Sequence, residues 1–289
     1  MRKLYLLLTI LTLAFTGSIS AREITATTTG GRVPARAYLN DSTITVVHIP
    51  ATVREIEDYA FEGCSRLERV IFEPGSRLTK IGDYAFADCV SLSDFKIPSS
   101  VRTLGTGMLM HCESIKEIDI PRGVQSLPRF FARGCTRLTS VTLPKSVTAI
   151  HRLAFAGCLN LSGIVFPASL RHIGMNAFAF CTSLKEVTLP AHLTTLESYA
   201  FAECTSLESV TLPREAREIG ELIFSGCRSL RTITVPRNMP PSFECNSFIF
   251  EPDETEMYAG CTLRIPASAL SRYRSAHGWR LFPTLTPLP

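Results

Sequence analysis

The sequence contains a single tryptophan, and only 19% of its residues are charged, with 30 Lys and Arg against 26 Asp and Glu. No block of like charge breaks that near-balance, so nothing in it calls for a nucleic acid or an anionic membrane as partner. Beyond the first residues no apolar run approaches the roughly 20 residues needed to cross a bilayer, and no membrane span is expected. There is no C-x-x-C pair, no phosphate-cradling glycine loop, no G-x-S-x-G elbow and no carboxylate pair at a distinctive spacing. Zinc, nucleotide and nucleophilic-hydrolase chemistry are thereby left without a motif. His48, His111, His151, His172, His192 and His277 fall at different register positions and form no row. We therefore expect no metal, no cofactor, no catalytic residue and no enzymatic activity.

What is present begins with a secretory signal over residues 1–21. Arg2 and Lys3 form a basic start, Leu4 to Phe15 an apolar stretch, and Ser18-Ile19-Ser20-Ala21 a small-residue cleavage site. Cleavage there lowers the net charge of +4 by the two basic residues, 4 − 2 = +2. No Cys directly follows the apolar stretch and no sorting or membrane tail ends the chain. The expected destination is the periplasm, the cell surface or the medium.

Eight cysteines stand at 64, 89, 112, 135, 158, 181, 204 and 227, spaced by 25 once and then by 23 six times. A fixed period of this size marks a solenoid. Three residues after each Cys comes an apolar residue (Leu67, Leu92, Ile115, Leu138 and onward), and six and eight after it come two more, as in Val187-Thr188-Leu189. Apolar residues separated by one have the period of a strand with one buried face. A proline follows at 98, 121, 144, 167, 190, 213 and 236; lacking an amide hydrogen, it should end the strand in every unit. Ile56, Ala60, Phe61 and Cys64, repeated as Ile173, Ala177, Phe178 and Cys181, are spaced to share one face of a helical turn. One such unit cannot bury its apolar face alone, so stability must come from stacking.

The pattern C-x-x-L-x-x-V-x-I-P-x-x-V-x-x-I-x-x-x-A-F resembles the BspA-like leucine-rich repeats. The resemblance implies an α/β repeat solenoid of eight to ten coils, a curved right-handed superhelix with a parallel β-sheet on one face and short helical turns on the other. It also implies an exported, non-enzymatic protein whose partner is a host extracellular-matrix or cell-surface protein. An envelope scaffold of the producing cell, or self-assembly, is the alternative, and the oligomeric state is left open. The repeats span 44–240, preceded by an N-terminal cap segment over 22–43 and followed by an irregular repeat and capping helix over 241–289. Three neighbouring coils depart from the pattern, at Glu73-Pro74-Gly75, at Gly107-Met108-Leu109 and at Arg129-Phe130-Phe131-Ala132, and these are expected to be the least regular. At the C-terminal end Leu263 to Pro266 reads as a last strand, Ser268 as a helix cap, and Trp279 and Phe282 as a lid.

The cysteines Cys64, Cys89, Cys112, Cys135, Cys158, Cys181, Cys204 and Cys227 read as a ladder of small buried side chains, in preference to disulfides between adjacent coils. Cys245 and Cys261 lie outside that register, flank an acidic insertion from Glu251 to Glu256, and could bridge it. If the sixth and eighth residues after each Cys enter the core, the fifth and seventh face outward. Those rows contain the expected partner-binding residues: the charged cluster Asp94, Lys96, Glu117 and Asp119, then Thr142, Glu186, Thr188, Thr211 and Thr234.

Overall fold

The computed structural model describes residues 21–216, 218–241, 249–250 and 255–288. Residues 1–20 of the expected signal lie outside the described residues, as does Cys245.

The chain winds into a solenoid of about 11 turns built from parallel strands, with few helices. Each regular coil contributes to three hydrogen-bonded columns. The front column holds the strands that follow each cysteine, such as Glu186–Thr188, Ser209–Thr211 and Thr232–Thr234, paired in register one coil apart. A second, rear column was not expected from the sequence: Ala149–Ile150, His172–Ile173, Thr195–Leu196 and Glu218–Ile219 form another parallel ladder. The apolar residue of each rear pair, Ile150, Ile173, Leu196 or Ile219, is buried and closes the core opposite the front strands.

The third column replaces the expected helical segments. In each regular coil among the described residues two positions take positive φ, for example Tyr59 (φ 59) with Gly63 (φ 70), and Tyr199 (φ 58) with Glu203 (φ 58). A left-handed residue cannot continue an α-helix, so the segment folds as successive tight turns, in which alternate amides bond to the next coil while those between them close the turns. Thus the amides of Tyr59, Phe61 and Gly63 donate to the carbonyls of Asp83, Ala85 and Ala87, each at 2.8 Å. The spacing of the buried residues fits a helical turn equally well, which is why the sequence pattern is read that way.

Inside the columns the core is continuous from Ala26 to Phe282. Phe155, Phe178, Phe201 and Phe224 stack ring on ring at 5.4, 5.3 and 6.0 Å, as do Tyr38, Phe61 and Phe86 at 4.9 and 5.1 Å. Between these stacks the irregular coils put Leu109 and Ala132 in the ring positions, and Met108 and Phe131, both fully buried, supply the volume from the neighbouring alanine column. The exchange keeps total core volume, the kind of change cores tolerate best.

Both sheets are interrupted at one step, between the coil of Asp94–Phe95 and Thr103–Leu104 and the coil of Glu117–Asp119 and Ser126–Leu127. A cause can be read for the rear interruption. The amides of Gly82, His151, Gly174, Glu197 and Gly220 donate across the rear column to Ile56, Leu127, Ile150, Ile173 and Leu196. Pro128 occupies the same register position and has no amide hydrogen to give. The turn column carries this step, through Gly107 to Arg129, Leu109 to Phe131 and His111 to Arg133 at 2.9, 3.0 and 2.7 Å.

The stack is longer than the repeat count implies because strands close both ends. Arg22–Thr25 pairs with Ile44–Ile49, and Thr284–Leu288, despite Pro287 within it, pairs with Thr262–Pro266. The end helix spans Leu270–Ser275, and Ser268 does not cap it; its hydroxyl bonds Asn238 Oδ1 at 3.0 Å. Trp279 is fully buried, with Nε1 donating to the Pro241 carbonyl at 2.9 Å, while Tyr273 donates to the Arg237 carbonyl at 3.1 Å.

Candidate functional site

Alternation within each front strand decides which side chains reach solvent. Ser140, Thr142, Glu186 and Thr188 are exposed while Val141 and Val187 between them are buried. Asp94, Lys96, Glu117 and Asp119 are exposed in the same way around Phe95 and Ile118. Thr211 and Thr234 are half-buried. The structure therefore brings the expected residues onto one face. It also separates them: Asp94 with Lys96, and Glu117 with Asp119, stand on opposite sides of the interrupted step.

The feature that sequence reasoning missed lies further along this face. The coil after Cys158 offers Gly163-Ile164-Val165 where its neighbours have strands, and these residues form none. On either side stand Ser140–Thr142 and Glu186–Thr188, the edges of two separate sheets. No backbone hydrogen bond among the described residues joins residues 162–166 to either edge, although bonds between coils resume at Asn160 with Thr136 and at Arg171 with Thr148. Glycine has poor strand propensity, and its presence at 163, where the other coils carry Arg, Asp, Glu, Ser or Thr, is the signal that could have located the break. Val165 is left 85% exposed, far above any other large apolar residue described. A depression of about 1000 Å³ opens between it and Glu186, and another of about 730 Å³ between it and Lys145.

Behind this face the cysteines Cys64 to Cys227 are all fully buried free thiols. Each Sγ donates to a carbonyl of the preceding coil: Cys89 to Phe61, Cys158 to Ala132 and Cys204 to Phe178, all at 3.2 Å. Burial pushes the Cys135 thiol up to about 12 and the Cys158 and Cys181 thiols well above their ordinary value. These groups are held as neutral donors, the opposite of what a nucleophile or a metal ligand needs. Cys261 is a buried free thiol raised by burial to about 12, and Cys245, which could bridge to it, lies outside the described residues. Among the described residues no three His, Cys, Asp or Glu side chains are grouped to hold a metal ion, and no helix is long and apolar enough to cross a membrane.

The family model for the BspA type leucine rich repeat region matches six copies across residues 31–162 and 128–249. The chain is a BspA-type leucine-rich repeat protein. Solved structures share the fold. A leucine-rich repeat protein from Bacteroides ovatus superposes with a TM-score of 0.62 at 22% identity, covering 93% of this chain and 81% of that one. A leucine-rich cell surface protein from Faecalibacterium prausnitzii gives 0.53 at 24% identity, covering 93% and 88%. The T. pallidum leucine-rich repeat protein gives 0.52 at 29% identity over 57% of this chain and 77% of that chain. No curated protein matches the sequence.

Proposed function

We propose that this BspA-type protein is exported and displayed at or beyond the cell surface, where its front sheet face binds a protein partner of the host matrix or host cell surface. The observation that carries the reading is the front face itself: a broad, exposed array of alternating charged and hydroxyl side chains held by a continuous rigid core. Such a face is what repeat solenoids offer to macromolecules. The basic and apolar start of the sequence supports export, and a relative described as a cell surface protein shares the fold. The cluster Asp94, Lys96, Glu117 and Asp119 is the charged part of the surface, and Thr142, Glu186, Thr188, Thr211 and Thr234 continue it.

The test is binding of the purified protein to immobilised fibronectin, fibrinogen and collagen, with a variant carrying alanine at Asp94, Lys96, Glu117 and Asp119 alongside. Saturable binding that weakens in the variant at unchanged melting temperature supports the reading. A defined oligomer that binds none of the three moves the assignment to an envelope scaffold.

A further inference from the structure

The front face is not uniform, and its break after the strand Ser140–Thr142 has a chemistry of its own. In a parallel strand the amide and carbonyl of one residue face one neighbour and those of the next residue face the other. The amide of Leu189 donates to the Thr211 carbonyl, so Val187 and Leu189 serve the following coil and the polar backbone groups of Glu186 and Thr188 face the break. There they find no partner among the described backbone groups. Unpaired groups repeating at every second residue along a strand edge are complementary to another extended polypeptide, the arrangement that strand addition exploits. A sugar or a helix does not match that repeat.

Side chains define the occupant further. Val165 projects at 85% exposure into the same depression of about 1000 Å³, whose rim also carries Glu186, Glu208, Lys185 and His192. His192 is engaged by Glu215 at 2.9 Å, which leaves two carboxylates against one ammonium. We infer that this cleft is a docking groove for an extended peptide segment of a protein partner. The segment pairs its backbone with Glu186 and Thr188, seats an apolar side chain on Val165 and offers a basic side chain to Glu186 and Glu208.

This inference rests on the protein-binding reading, and the experiment separates the two. A displayed library of short random peptides is panned on the protein produced from its full sequence. We expect enrichment of peptides that combine β-branched residues with Lys or Arg. The amides of Glu186 and Thr188 should exchange quickly in the free protein, and a synthetic copy should slow them. Val165→Glu, an exposed change that should leave far-ultraviolet circular dichroism unaltered, should weaken the peptide by about tenfold or more, and N-methylation of alternate peptide amides should do the same. Failure to enrich any peptide, indifference of the bound peptide to both changes, or Val165-dependent binding of a glycan array instead would overturn the groove. Matrix-protein binding that responds to the Asp94, Lys96, Glu117 and Asp119 substitutions but not to Val165→Glu sinks the groove alone. Binding that responds to neither sinks the groove and moves the site off the front face, and binding of none of the three matrix proteins and of no peptide sinks the protein-binding reading as well.

Discussion

At the scale of single residues the recurring cysteine is the most informative. Its thiol is small enough for a position between two coils, and it adds a second donor to a carbonyl already bonded within its own turn, as Cys158 does for Ala132, which also accepts the Cys135 amide at 3.2 Å. Losing such a bond costs about 0.5–1.5 kcal/mol, so Cys158→Ala should lower the free energy of unfolding by roughly that much in a urea titration. The raised thiol values have a pH consequence. A group whose proton is held more tightly in the folded state stabilises that state fully below its unfolded value, here 9.0, and the contribution disappears as pH rises toward about 12. Melting temperature is therefore expected to fall steadily above pH 9, and Cys→Ala variants should blunt the fall. Thiol reagent at pH 8 should leave native protein almost unlabelled and, after denaturation without reductant, should titrate at least the nine described free cysteines. The inward positions of these residues were legible in the period of the sequence. Their hydrogen bonds were not, because which carbonyl each thiol meets depends on the path of the turn.

At the scale of the element, strand positions on the front column were legible because alternation and a terminating proline mark them. The rear column was not, since pairs as short as Glu55–Ile56 and Lys80–Ile81 contain only one apolar residue and show no alternation. The turns were misread as helical for a related reason: Ile, Ala, Phe and Cys at those intervals bury equally well in either conformation, and only the left-handed residues, often Tyr, Leu or Asn in place of glycine, distinguish them. Two positions connect sequence directly to interruptions. At Pro128 a donor is missing; Pro128→Ala should place a slowly exchanging amide at residue 128, bonded to the preceding coil, and fast exchange there would show that something other than the missing hydrogen opens the rear column. At Gly163 a Cβ would meet nothing within 4 Å. Gly163→Thr is expected to raise stability by about 0.5–1 kcal/mol through strand propensity and the lost freedom of glycine, measured by urea unfolding.

At the scale of the whole molecule, a stack of this kind is only as stable as its ends. The terminal strand Thr284–Leu288, the helix Leu270–Ser275 and the buried ring of Trp279 close the C-terminal cross-section. Trp279→Ala should cost about 3–5 kcal/mol and, by exposing the last coil, should produce concentration-dependent association in light scattering; unchanged melting and a monodisperse monomer would contradict the capping role. With both ends covered, the partner is proposed to dock on the front sheet rather than on the turn or rear columns. The most direct measurement of that claim is hydrogen exchange of the protein alone and bound to whichever immobilised matrix protein it binds most tightly. Slowed exchange concentrated along Glu117–Asp119, Ser140–Thr142 and Glu186–Thr188 is the predicted footprint; protection confined to the turn column or to the terminal strands would contradict it.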